Sequence, residues 1–132
     1  MIGLDTNVLI RHLVGDDLAQ TKLVDNLLDR RCSTDEPVFI NRIVLCETAW
    51  TLDRTYGYNR REIAKIIESM LLAREFSVED RDDVSAALVV YKATNIGFTD
   101  ALIGELNRTH GCEFTATFDR KAAKLVGFEL LS

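Results

Sequence analysis

Three aspartates stand where a strand ends or a helix begins. Asp5 directly follows the apolar segment at residues 2–4, where the chain must turn into its first helix. Asp119 follows the segment at residues 115–118 in the same way, and Asp100 lies at the opening of another helix. Asp is a favoured helix N-cap, so each could simply be a cap. Because the carboxyl ends of parallel strands share one edge of a sheet, the three are also placed to converge.

Glu47 has a different setting. It lies within a stretch of helical periodicity, and its neighbours at i−4, i−3 and i+3 are apolar: Ile43, Val44 and Trp50. We therefore expect it on the apolar side of its helix, where a carboxylate needs a partner or a cation. A buried salt bridge to Arg42 or Arg54 is the alternative to a cation site.

Convergence of these four carboxylates would be costly without compensation. Two charges about 5 Å apart at an effective dielectric of about 20 repel by about 3 kcal/mol, and several such pairs would rival a domain's stability of about 5–15 kcal/mol. The cluster must hold either protons, with raised pKa values, or a cation, and oxygen donors suit Mg²⁺ or Mn²⁺. Because such a metal polarises a phosphoryl oxygen and supplies a hydroxide nucleophile, the residues point to metal-dependent phosphoryl chemistry.

The hydrophobic periodicity supplies the elements that must position these acids. Apolar residues at helical spacing predict amphipathic helices near residues 18–31, 59–73 and 82–95. Segments rich in β-branched or aromatic residues predict strands at residues 1–4, 38–40, 76–78, 114–117 and 128–131. Strands that alternate with helices favour a mostly parallel sheet covered by helices on both faces. Five glycines, at positions 15, 57, 97, 111 and 127, are predicted to stop helices.

The composition narrows the class of protein. The chain has 132 residues, of which 47% are hydrophobic and 28% charged, with a net charge of −5. This balance predicts one globular domain spanning residues 1–132. The apolar runs are too short to span a membrane and residues 1–5 do not resemble a signal peptide, so the cytoplasm is the expected location. The acidic charge argues against a broad basic surface for nucleic acid, although phosphate could still be reached through bound cations.

Four motifs in order resemble the PIN-domain nucleases, and among them the VapC-type toxins of bacterial toxin–antitoxin pairs. The motifs are Gly-Leu-Asp-Thr-Asn-Val-Leu-Ile at residues 3–10, Leu-Cys-Glu at 45–47, Phe-Thr-Asp-Ala-Leu-Ile at 98–103 and Thr-Phe-Asp at 117–119. The resemblance covers essentially the whole chain. It implies an α/β fold, a three-layer α/β/α sandwich on a mostly parallel five-stranded sheet, and a Mg²⁺- or Mn²⁺-dependent endoribonuclease.

The resemblance also implies roles for particular residues. The catalytic and metal-binding quartet would be Asp5, Glu47, Asp100 and Asp119. Thr6 and Asn7 would order Asp5 by hydrogen bonding, and Thr117 matches the small polar residue that often precedes the last acid. For Asn7 helix capping is the alternative, and for Thr117 an ordinary strand position.

The implied partners are an RNA substrate (tRNA, rRNA or mRNA), a cognate antitoxin protein and a second copy of the chain in a homodimer. Candidate contacts to RNA phosphates are basic residues close to the acids: Arg11, Arg42, Arg120, Lys121 and Lys124. A solvated basic surface is the alternative for them. The acidic run at residues 79–83 is predicted to be a solvated turn and helix start.

Two other functions remain open at this stage. A different Mg²⁺-dependent phosphoryl-transfer enzyme, such as a haloacid-dehalogenase-like phosphatase, also begins with an Asp after its first strand, but it requires a second Asp where this chain has Asn7. A PIN-like fold could alternatively be kept for binding after loss of nuclease activity. Metal binding without RNA cleavage would favour the binding protein over the nuclease.

Overall fold

The computed structural model describes all residues from Met1 to Ser132 and divides into two compact units, Met1–Arg81 and Asp82–Ser132. The first unit contains four helices and two strands. In chain order they are α1 (Thr6–Val14), α2 (Leu18–Arg31), β1 (Val38–Ile40), α3 (Arg42–Arg54), α4 (Arg60–Leu72) and β2 (Phe76–Val78). The helices predicted near residues 18–31 and 59–73 are confirmed as α2 and α4.

Side-chain caps explain where these helices begin. The Asp5 carboxylate accepts a hydrogen bond from the Val8 amide and starts α1. At the start of α4, Asn59 and Glu62 form a reciprocal capping box. Gly15 has a φ of 69°, the left-handed conformation that ends α1 at little steric cost.

Strands β1 and β2 pair in parallel at the centre of this unit, with Val38 opposite Phe76 and Ile40 opposite Val78. The N-terminal segment lies beside β1 and also runs parallel, but it forms only one bridge, from Gly3 to Phe39. The segment is short because the helix capped by Asp5 follows at once. The side chains that bury most completely around this sheet are Leu9, Ile10, Val38, Ile40, Leu45, Leu52 and Met70.

Two acidic residues after β2 hold the start of α3. Glu79 Oε1 accepts a hydrogen bond from the Arg42 amide at 2.9 Å, and Asp80 Oδ2 accepts one from the Arg42 guanidinium at 2.6 Å. Asn41 caps the Val44 amide of the same turn. The predicted turn and helix start at residues 79–83 is confirmed, and the structure adds that Glu79 and Asp80 anchor a helix 37 and 38 residues away in the chain.

Replacing Glu79 by Ala is expected to lower the free energy of unfolding by about 1 kcal/mol, because an amide of the first helical turn loses its acceptor. Thermal denaturation should show a decrease in Tm of about 3–5 °C. Glu79→Gln keeps an acceptor oxygen and should recover most of the loss. Glu75→Ala, at an exposed position just before β2, is the control; an equal loss there would contradict the anchoring role.

The second unit contains two long helices and two short strands. They are α5 (Arg81–Ala93), which begins at the boundary, α6 (Phe98–Thr109), β3 (Thr115–Thr117) and β4 (Phe128–Leu130), with a 3₁₀ turn at Ala122–Lys124 between the strands. The helix predicted near residues 82–95 is confirmed as α5. Gly97 is the N-cap of α6, so the prediction that it stops a helix is wrong. Gly104 lets α6 pack closely on β4, because a Cβ there would lie 2.5 Å from Cε1 of Phe128.

The predicted mixed α/β class is confirmed, and every paired strand runs parallel. The five-stranded sheet is not confirmed: β1 pairs with β2, β3 pairs with β4, and residues 1–4 contribute only a single bridge. Four of the five predicted strands form at nearly the expected positions, each of three residues. None of the helices combines the length and the apolar character needed to cross a membrane.

Candidate functional site

Asp5 and Glu47 are the two candidate acids of the first unit. Asp5 is exposed at the start of α1, and its Oδ1 accepts from the Val8 amide at 3.0 Å. The capping function that the sequence suggested is therefore present. It uses one carboxylate oxygen, and Oδ2 makes no hydrogen bond.

Glu47 lies on the exposed side of α3, which corrects the expectation that it is buried among apolar side chains. Its helical neighbours Ile43 and Trp50 are themselves 67% and 61% exposed. The helix instead buries its opposite side, made of Val44, Leu45, Thr48, Ala49 and Leu52. The periodicity misled because α3 carries apolar residues on both sides, so it could not show which side faces the core.

The structure gives Glu47 a specific partner. Thr6 Oγ1 donates a hydrogen bond to Glu47 Oε1 at 2.8 Å, across from α1 to α3. The alternative of a salt bridge to Arg42 or Arg54 is wrong, because Arg42 pairs with Asp80 and the Arg54 guanidinium lies 6.0 Å from the centre of the Trp50 ring. Thr6 thus holds one oxygen of Glu47 and leaves the other without a hydrogen bond.

Asp100 lies in the first turn of α6, three residues after the Gly97 N-cap, and is half-buried. Burial raises the pKa of its carboxyl above the ordinary value, and the negative charge of Asp119 raises it further. The second cause shows that the two carboxylates of this unit sense each other. A cation beside them would offset this repulsion.

Asp119 is exposed in the turn that follows β3. Its Oδ1 accepts from the Lys121 amide at 2.7 Å and the Ala122 amide at 3.2 Å, while its own amide donates to Thr117 Oγ1 at 3.0 Å. Thr117 therefore supports the backbone of the last acid and not its carboxylate. These contacts fix the turn and leave Oδ2 of Asp119 free of hydrogen bonds.

The supporting residues of the first motif differ in their contacts. The predicted hydrogen bonds from Thr6 and Asn7 to Asp5 are not seen. The Thr6 hydroxyl donates to Glu47 instead, and the Asp5 carboxylate accepts from the Val8 amide. Asn7 is exposed in the first turn of α1. The link from Thr6 to Glu47 had no signal in the sequence, because the two residues are 41 positions apart.

The five candidate phosphate-binding side chains fall into two groups. Arg11 is held by Gln20, by the Tyr56 hydroxyl and by Asp16, and Arg42 is held by Asp80. Both arginines are therefore committed to carboxylates or other polar groups of the fold. The remaining three are exposed and make no ion pair within their unit: Arg120, Lys121 and Lys124. Only this second group is available for phosphate.

The donor set fits a hard divalent cation in its chemistry. Asp5, Glu47 and Asp119 are each anchored through one oxygen, and each keeps the other oxygen without a hydrogen bond. Mg²⁺ and Mn²⁺ favour such carboxylate oxygens. The acids are grouped as one pair in each unit, and no group of three or more His, Cys, Asp or Glu side chains lies together in the way that would hold a metal ion.

Comparison with known proteins covers both units of the chain. Residues 2–127 match the PIN domain family. A protein of Aquifex aeolicus (strain VF5) described as a VapC ribonuclease is 25% identical over 129 residues, which is 98% of this chain and 94% of that protein.

Proposed function

Because the chain belongs to the PIN domain family, we propose that it is an endoribonuclease that acts as the VapC-type toxin of a toxin–antitoxin pair. The geometric observation that carries this proposal is the anchoring of three acids through single oxygens, which leaves the other oxygens available to a cation. The relative from Aquifex aeolicus, matched over nearly the full length of both chains, supports the choice of a ribonuclease.

The quartet of Asp5, Glu47, Asp100 and Asp119 is proposed to hold Mg²⁺ or Mn²⁺. When bound, such a metal supplies an activated water and neutralises charge that develops on a phosphodiester. Thr6 orients Glu47, and the amides of Lys121 and Ala122 orient Asp119, so these two carboxylates keep their direction before the metal arrives. The pKa of Asp100 is raised first by burial and then by the negative charge of Asp119.

Three further features belong to the same proposal. The family match includes residues of both units, which supports a single PIN domain over residues 1–132. The three-layer α/β/α sandwich that the family resemblance implies is part of the same proposal. The substrate is RNA, drawn from tRNA, rRNA or mRNA. The partners are a cognate antitoxin and a second copy of the chain.

The test is cleavage of a mixed pool of tRNA and rRNA by antitoxin-free protein. We expect cleavage with Mg²⁺ or Mn²⁺ and none with EDTA, with activity restored when the metal is returned in excess. Asp100→Ala, purified in the same way, controls for contaminating nuclease and should be inactive. Cleavage that persists in EDTA or in the variant would contradict the assignment.

A protein that binds RNA or antitoxin without cleaving is the competing function. All four acids of the quartet are present, and three of them are held by hydrogen bonds in defined orientations. Metal binding by calorimetry together with an uncut RNA pool would favour the binding protein.

A further inference from the structure

Phe118 is the most exposed aromatic side chain of the protein. Its ring is 80% exposed, compared with 61% for Trp50 and 42% for Phe114. Single exposed apolar side chains are common on protein surfaces, so the ring gains meaning only from the residues around it. The Trp50 ring already has the Arg54 guanidinium over it, whereas no ring or cation contacts that of Phe118.

The backbone on both sides of Phe118 is fixed. Thr117 before it belongs to β3 and pairs with Leu130 of β4. Asp119 after it is held by the Thr117 hydroxyl and by the Lys121 and Ala122 amides. The exposed ring is therefore presented on a rigid turn, and ordering it costs little entropy when a partner binds.

The surroundings of the ring are cationic. Arg120, Lys121 and Lys124 follow within six positions, are exposed and have no ion pair in this unit. In a chain with a net charge of −5, this is a local positive surface next to a candidate metal-binding carboxylate. A partner that offers both an aromatic face and negative charge would match it.

We propose that Phe118 is a stacking platform for an unpaired base of the RNA substrate, with Arg120, Lys121 and Lys124 contacting the adjoining phosphates. This proposal rests on the proposed function and narrows its substrate class to single-stranded or looped RNA. A-form duplexes keep their bases stacked inside, whereas unpaired bases can be splayed onto aromatic rings.

An RNA partner is favoured over a protein partner by the neighbours of the ring. Energetically important positions in protein interfaces lie within desolvated apolar clusters. The residues adjacent to Phe118 in the turn are polar or charged: Thr117, Asp119, Arg120 and Lys121. An exposed ring followed closely by three exposed cations is the combination that single-stranded nucleic acid requires.

The experiment measures RNA binding without turnover, in the full-length chain carrying Asp100→Asn in Mg²⁺. The probes are a labelled single-stranded RNA pool of random sequence and the same pool annealed to its complement. Phe118→Ala should weaken binding of the single strand about 10- to 100-fold and change duplex binding little. Phe118→Trp should bind the single strand at least as well as Phe. In a single strand that contains 2-aminopurine, binding should change the fluorescence as the base leaves its neighbours, and Phe118→Ala should abolish that change.

Val126→Ala is the matched control, because Val126 is a fully exposed apolar residue of the same unit outside this turn. The proposal is overturned if Phe118→Ala binds single strands normally, if it weakens duplex binding equally, or if it impairs only antitoxin binding or dimer formation. If the parent chain binds neither probe and the wild type cuts no RNA, the proposed function itself fails. Normal cleavage with no effect of Phe118→Ala would overturn the stacking role alone.

Discussion

Replacing Asp119 by Asn is expected to lower the rate of RNA cleavage about a thousandfold, which corresponds to a loss of about 4 kcal/mol of transition-state stabilisation. The amide oxygen of Asn can still accept from Lys121 and Ala122, so the turn after β3 should keep its shape. What the substitution removes is the negative charge on the oxygen that is left for a cation. The measurement is the cleavage rate at saturating Mn²⁺, together with Tm.

The control for Asp119→Asn is Asp82→Asn, the same chemical change at an exposed position in the first turn of α5. It should cleave RNA at the wild-type rate. Asp119→Asn that retains a wild-type rate would remove Asp119 from the proposed quartet. If Asp119→Asn shows no thermal unfolding transition because it does not fold, the residue would be assigned to the fold alone.

Replacing Thr6 by Val is expected to reduce activity about 10- to 100-fold, because residues that orient a metal ligand typically have effects of this size. The Thr6 hydroxyl is the group that donates to Glu47 Oε1, and Val keeps the shape of Thr without the donor. We expect the Mn²⁺ concentration for half-maximal cleavage to rise, since Glu47 would lose its fixed direction. The measurement is the metal dependence of the initial rate.

Thr6→Ser is the matched variant for this prediction, since it retains the hydroxyl. It should restore the metal dependence of the wild type. If Thr6→Ser loses activity while Thr6→Val keeps it, the methyl group and its packing matter more than the hydrogen bond. An unchanged metal dependence in Thr6→Val would contradict the positioning role.

The helices could be predicted from sequence because their signals are local. Apolar residues at helical spacing placed α2, α4 and α5 close to their observed bounds, and Asp5 occupies the N-cap expected from its position. The strands are harder, because each pairs over only three residues and their order depends on distant segments. A five-stranded sheet cannot be deduced from five short segments without knowing which of them pair.

In the candidate site, too, the features set by adjacent residues could be predicted and those set by tertiary packing could not. Asp5, Asp100 and Asp119 were placed correctly at helix starts and a strand end, because adjacent residues determine such positions. The side of α3 that carries Glu47 was predicted wrongly, because only the tertiary packing decides which of its two apolar sides is buried. The contacts of Arg11 and Arg42 depend on the fold for the same reason.

The anchor between Glu79 and the Arg42 amide also bears on how strands β1 and β2 find their alignment. Glu79 directly follows Val78, which lies opposite Ile40, and the Glu79 amide donates to the Ile40 carbonyl. A slip of one residue between the strands would turn their side chains to the opposite faces and carry Glu79 away from the helix that it caps. The helix cap therefore favours the native register of the sheet. Only that register forms both the strand pairing and the hydrogen bond from the Arg42 amide to Glu79, so a chain whose strands are misaligned lacks this stabilisation during folding.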